Sequence, residues 1–258
     1  LLSGCGGSKS DDGQKKAQEK KVIKVGATAG PQAQVLEAVK PVLAKQGIEM
    51  QIVEFNDYTT PNVALSQGDL DANSMQHKPF LDAQIEARGY KLTAIGQTVL
   101  LPMGLYSKKV KNLDELKDGA TVAIPNDQSN GGRGLLLMQK YGLLKLKPEA
   151  GILPAPTDII ENPKNLKVVE VEAAQAPRVL DDVDLVAVNT NYALVAGLVP
   201  TKDSLALEDK DSPYACVIVV RTDDKDRDDL KKLLQAYQSA EVGKFIDEEF
   251  KGSIVKAW

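Results

Sequence analysis

The stretch FNDYTTPNVALSQGDLDANSMQHKPF, Phe55 to Phe80, decides how this chain is read. It holds the single histidine, His77, among closely spaced polar and aromatic side chains. Thr60 suits an N-cap, and Pro61 suits the first helical position, where its missing N–H costs nothing. The short helix that follows stops at Gly68, which tolerates a left-handed backbone. Residues 70–73 are short enough for a buried strand of a parallel sheet. The end of that strand delivers Asn73, Met75, Gln76 and His77 to one edge. Ligands of open α/β sheets sit at the carboxyl ends of strands, so the stretch reads as one wall of a binding site.

Working outward, a strand is expected over 22–26, a turn over 26–30, and a helix opened by Pro31. Val35, Leu36, Val39, Val42 and Leu43 share one face of this helix, Pro41 kinks it, and Gly47 ends it. Ile48, Met50 and Ile52 alternate with Glu49 and Gln51 as a second strand, so strand, helix and strand form a parallel crossover. After the opening stretch come a helix over 78–88 and a strand over 91–98. The apolar run 99–106, broken by Pro102 and Gly104, reads as a crossing into a second lobe. There, strands are expected over 121–124, 166–171 and 184–188, with short helices over 175–180 and from Asn191-Tyr192 to Gly197. The proline-rich 143–165 reads as loop. Residues 215–220 form an apolar strand that returns through the hinge, and helices over 226–238 and 241–250 close the chain. The result is two α/β lobes, each a mixed sheet flanked by helices, with a cleft that closes on a small ligand.

Residues 125–134, PNDQSNGGRG, read as a polar turn leading into a helix. Backbone N–H groups at that helix start, with Arg133 beside them, suit a carboxylate; a flexible turn with a solvated arginine is the plain alternative. No Lys-Ser/Thr follows the last glycine, so the turn is not a phosphate loop.

Composition bounds the rest. The 258 residues are 43% hydrophobic and 26% charged, an ordinary globular balance. A net charge of −4 gives no argument for nucleic acid. No apolar run approaches the roughly 18 residues of a membrane span. Two cysteines and one histidine cannot fill a usual zinc shell, and no cofactor is implied. Cys5 follows Leu1-Leu2-Ser3-Gly4, which looks like the end of a lipoprotein signal peptide, and GGSKSDDGQKKAQEKK after it reads as a disordered tether. The alternatives are a stretch without a role, or a disulfide between Cys5 and Cys216.

Many segments resemble a known family in the right order: FNDY (55–58), ALSQGDLDAN (64–73), QHKPFLD (76–82), RGYKL (88–92), YSKKVKNLDEL (106–116), VAIPND (122–127), ENPKNLK (161–167), AVNTNYA (187–193) and EDKDSPY (208–214). Over residues 22–258 the chain is similar to the NlpA-type lipoproteins, the methionine-binding proteins of bacterial ABC importers. The resemblance implies a type II-like periplasmic-binding-protein fold. Its lobe 1 would comprise 22–104 with 214–258, and its lobe 2 would be 105–213, behind a leader and tether over 1–21. It further implies a monomer anchored to the cell membrane by lipid on Cys5 and facing outward. That monomer would hand L-methionine, or D-methionine or methionine peptides, to a permease with a cytoplasmic ATPase.

The same resemblance implies the site. Tyr58 and Met75 flank the ligand side chain, His77 lines the pocket, Arg133 pairs with the α-carboxylate, and Asn189 hydrogen-bonds the head group. Two positions depart from the family: Met75 stands where phenylalanine is usual, and Cys216 where asparagine is usual. The departures leave open another small amino acid or a methionine-containing dipeptide as ligand. A rival of a different class is an enzyme with Cys216 as nucleophile and His77 as base. It lacks a recognisable orienting third group. An adhesin-like surface lipoprotein is a further alternative.

Overall fold

Residues 21–258 are described by a computed structural model; Cys5 and the tether expected before Lys21 lie outside them. Strand β1 (Lys21–Thr28) buries Ile23, Val25 and Ala27 and lies parallel to β2 (Ile48–Phe55), with Lys21 opposite Ile48 and Thr28 opposite Phe55. Helix α1 (Pro31–Ala44) joins them, packing Val35, Leu36, Val39 and Leu43 beneath the sheet and running through Pro41 to its last turn. The turn into α1 needs Gly30: its φ is 98°, and an added Cβ would lie 2.6 Å from Cγ2 of Val195 in the other half of the molecule.

Helix α2 (Thr60–Gln67) begins one residue earlier than the sequence suggests. Thr60 is its first helical residue and Thr59 its N-cap, which makes no side-chain cap bond; instead Asp57 Oδ1, just before the helix, accepts the Thr59 and Thr60 N–H groups at 2.7 Å each. Gly68 ends the helix with φ 91°. Strand β3 is Ala72–His77, displaced from the expected 70–73, so Met75, Gln76 and His77 lie within the strand, not beyond its end. All six of its residues are buried. A row of polar side chains tolerates this because it is internally satisfied. Asn62 and Gln76 exchange amide hydrogen bonds at 2.9 and 2.7 Å, and Asn73 donates to Asn62 at 2.9 Å. Helix α3 (Lys78–Arg88) and β4 (Leu92–Gln97) follow as expected, and β5 (Val99–Leu100) starts the crossing.

In the second half, β6 (Gly104–Tyr106) and β7 (Thr121–Pro125) are followed by α4 (Gln128–Lys140). This helix corrects the expected turn over 125–134: Gly131, Gly132, Arg133 and Gly134 are helical. Close packing explains these glycines. An added Cβ would lie 2.6 Å from the Pro125 carbonyl oxygen at Gly131, 2.9 Å from Pro154 at Gly132, and 3.1 Å from Ala187 at Gly134. The 143–165 region contains a small hairpin of β8 (Lys145–Leu146) and β9 (Ile159–Glu161). Then come β10 (Lys167–Val171), a 3₁₀ segment over Ala173–Asp181, β11 (Leu185–Val188), α5 (Thr190–Val195), α6 (Pro200–Asp203) and β12 (Ala206–Leu207). The chain returns through β13 (Cys216–Arg221), α7 (Asp228–Tyr237) and α8 (Ala240–Phe250). It ends in β14 (Val255–Lys256), which pairs with β5 and was not expected from the sequence.

Two five-stranded sheets result, ordered β2-β1-β3-β13-β4 and β10-β7-β11-β6-β12. Each combines parallel strands with antiparallel ones: β13 runs against β3 and β4, and β6 runs against β11 and β12. The chain passes between them twice, after β5 and after β12. This is the two-lobe periplasmic-binding-protein architecture, with a separate apolar core on each sheet.

Candidate functional site

Tyr58, Met75, His77, Arg133, Asn189 and Cys216 all line one cavity between the two sheets. Gln32, Phe80, Asn130, Asn191 and Tyr214 line it too, and the space between the walls, mouth included, is about 370 Å³. Met75 and His77 come from β3, and Cys216 sits opposite His77 on β13. Arg133 projects from α4, while Asn189 and Asn191 flank the start of α5.

Some polar atoms of the wall are already paired, and others are free. His77 Nδ1 accepts the Phe80 N–H at 3.2 Å as the cap of α3, so the proton resides on Nε2, which meets Asn130 Oδ1 at 2.9 Å. Burial, then the Arg133 charge, lowers the His77 pKa to about 3 against the bond to Asn130, so the ring is neutral. Asn130 itself is oriented by Asp127, whose carboxylate caps α4 and takes the Asn130 amide N–H at 3.0 Å. Asn130 Oδ1 then also accepts from Asn189 Nδ2 at 2.9 Å. That leaves Asn189 Oδ1 as a buried acceptor without a partner among the described residues. Tyr58 donates to Asn191 Oδ1 at 2.5 Å, which leaves Asn191 Nδ2 as a buried donor without a partner among the same residues. The Tyr214 hydroxyl is likewise unpartnered there.

Arg133 is 3% exposed. Its Nε donates to Glu208 Oε1 at 2.9 Å, and its Nη2 to Glu208 Oε2 at 2.5 Å and to the Leu101 carbonyl at 2.8 Å. The Tyr214 ring lies 4.5 Å from the guanidinium carbon. Burial works against the charge, but Glu208 outweighs it and the pKa lies above the ordinary value. The hydrogen bonds of Arg133 use Nε and Nη2 and leave Nη1 without an acceptor among the described residues. The guanidinium is therefore not beside a row of free backbone N–H groups, as a polar turn would have placed it; it stands within the helix, and Asp127 occupies the helix start. Glu208, Asn130, Asn191, Tyr214 and Gln32 were not singled out from the sequence. Glu208 and Tyr214 lie inside the quoted EDKDSPY segment, which was the available signal.

The remaining wall is aromatic. Tyr58 lies 5.9 Å from Phe80 and 5.0 Å from Tyr192, and His77 lies 5.1 Å from Tyr214 and 6.2 Å from Phe80, between ring centroids. Such a slot, with Met75, suits a polarizable thioether. Cys216 is buried, its pKa pushed up to about 12 by burial against the opposing effects of Arg133 and a Gln32 amide 3.8 Å from the sulfur. Both His77 nitrogens are committed elsewhere. The pair therefore lacks the thiolate and the free base that a cysteine nucleophile requires. Among the described residues no three metal-ligating side chains cluster, and no helix is long and apolar enough to cross a membrane.

Two lobes closing on a cavity with a buried donor set, a buried acceptor and an aromatic slot define a small-molecule binding protein. The NlpA lipoprotein family model matches residues 23–258, and the chain belongs to that family. It is 52% identical to the D-methionine-binding lipoprotein MetQ of Salmonella typhimurium, across 100% of this chain and 93% of that protein. Its counterpart in Escherichia coli is 51% identical over the same shares. Among solved structures, a nutrient binding protein from Burkholderia cenocepacia bound to methionine is 53% identical with a TM-score of 0.90, covering 92% of this chain and 100% of that one.

Proposed function

We propose that this chain is the substrate-binding lipoprotein of an ABC importer and captures methionine in the cleft, without catalysis. The observation that carries the reading is the set of free polar atoms. Arg133 Nη1, left free by bonds at Nε and Nη2, and the buried Asn191 Nδ2 donate toward a carboxylate, Asn189 Oδ1 accepts from an ammonium, and the aromatic slot takes the thioether. A buried zwitterion needs such partners, or desolvation forbids entry. Tyr58 and Met75 flank the side chain, and His77 contributes its ring face. Cys216 borders the head group, at the position where the resemblance implies an asparagine. The relatives' names and the methionine-bound structure support the ligand. A methionine-containing dipeptide competes, favoured by the smaller thiol at Cys216.

The closing lobes comprise 22–104 with 214–258, and 105–213. The chain works as a monomer, held at the outer face of the membrane by lipid on Cys5, and docks on a permease that has a cytoplasmic ATPase. Titration calorimetry with L-methionine, D-methionine and methionine dipeptides tests the ligand, alongside mass spectrometry of whatever co-purifies. No heat from any of them would sink the reading. Slow alkylation of Cys216 by iodoacetamide near neutral pH is expected, and rapid alkylation would reopen the enzyme.

A further inference from the structure

Among the described residues Arg133 is the one charged side chain on the cavity wall. Behind it, outside the wall, Glu208 covers the Nε and Nη2 edge. Glu208 is itself fixed: its Oε2 accepts the Met103 N–H at 3.2 Å, and its own N–H donates to the Met103 carbonyl at 2.9 Å. Its side chain is 10% exposed. The carboxylate is therefore locked between the two chain crossings, and the ion pair does not need the ligand in order to form. A further carboxylate, Asp127, does not line the cavity and is spent on the α4 start, where Ser129 and Asn130 hold it.

We infer that Glu208 makes the cleft selective for ligands of zero net charge, by cancelling the Arg133 cation from behind the pocket wall. The inference rests on the amino-acid-binding reading above and adds a residue that sets specificity without touching ligand. A lone buried guanidinium would favour anions, because each anion would neutralise it. With Glu208 in place the wall sums to zero. A ligand with a net charge then brings an uncompensated charge into a buried site, which is strongly disfavoured. A zwitterion brings none, and its carboxylate still meets the free Nη1 edge. Glu208 takes the Nε/Nη2 side of the Arg133 fork and the Leu101 carbonyl takes the second Nη2 N–H, so the ligand carboxylate is received by Nη1 and Asn191, not by a bidentate face.

The test uses three near-isosteric ligands on the purified chain: methionine, its 2-hydroxy analogue (net −1), and methioninamide (net +1), at about pH 6.5, where the amines are protonated. Calorimetry of the wild type should give methionine at least about tenfold tighter binding than either analogue. In Glu208→Gln the gap between methionine and the hydroxy acid should narrow by at least about tenfold, while the gap to methioninamide widens. Glu208→Asp, which keeps the charge, should hold the wild-type ranking. A merely structural role would weaken all three ligands alike. Unchanged ratios in a folded Glu208→Gln overturn the inference. So does a wild type that binds the hydroxy acid within about threefold of methionine, an arm that decides even if the variant does not fold. A wild type that binds none of the three would instead count against the proposed function.

Discussion

Replacing Arg133 with methionine separates two roles that the structure joins in one side chain. On the proposed reading the guanidinium offers Nη1 to the ligand, and it also neutralises Glu208, whose side chain is 10% exposed. Losing one charge-assisted hydrogen bond to the ligand costs about 1.5–3 kcal/mol, or roughly a 10- to 150-fold weaker affinity. Leaving Glu208 buried without its cation costs about 3–5 kcal/mol of stability. The double variant Arg133→Met/Glu208→Leu removes both charges and should recover most of the lost stability, because apolar replacement of a buried pair is often neutral or better. It should recover none of the affinity. Denaturant melts read the first quantity and calorimetry the second. A folded Arg133→Met that binds methionine within about threefold of wild type would refute the assignment of Nη1 to the carboxylate. So would a double variant that regains wild-type affinity.

Three further outcomes follow from the same geometry. The His77 pKa is lowered to about 3 in the fold from an ordinary value of 6.5, so its stabilising contribution is complete above about pH 6.5 and is lost as pH falls toward 3. Near pH 5 the loss should be about 2 kcal/mol, and it should vanish in His77→Gln; a flat stability profile from pH 7 to 5 in the wild type would contradict the buried neutral ring. Tyr58→Phe removes the 2.5 Å bond to Asn191 that spans the cleft, so methionine should dissociate roughly 5- to 30-fold faster, for a loss of about 1–2 kcal/mol. An unchanged stopped-flow off-rate would remove that bond from the closed state. Cys216→Asn should tighten methionine binding by about tenfold or more if the position faces the head group; equal affinity by calorimetry would place it outside the head-group contacts.

The fold was largely legible because its signals are local. Alternation along 48–52, the helical face of Val35 to Leu43, and the terminators Gly68 and Gly89 each act within one turn or strand, and the structure places elements there. The misreadings share a cause. Strand β3 is expected over 70–73 with Met75, Gln76 and His77 beyond its end as a binding wall; the strand instead runs on through them, and Asn73 and Gln76 are buried in it because Asn62, from a different element, completes their hydrogen bonds. The start of α4 was read as a turn because two adjacent glycines usually mark one. Here they are small because Pro125 and Pro154 press against the helix. In both cases a tertiary neighbour overrode the local preference.

The site illustrates a harder limit. A sequence names side chains, but binding depends on which of their atoms are left over. Asn189 offers an acceptor only because its Nδ2 is taken by Asn130, and Asn130 accepts only because Asp127 holds its amide N–H. Asn191 offers a donor only because Tyr58, 133 residues away in sequence, takes its oxygen. Arg133 offers one edge because Glu208, 75 residues on, occupies the other. Each of these choices depends on one partner, so the polarity of the cleft belongs to the network and not only to the residues lining it. The consequence is physical. A substitution at Asp127 or Glu208, neither of which lines the cavity, can alter ligand preference as much as one at Asn189, because either redirects an amide or a guanidinium that does line it.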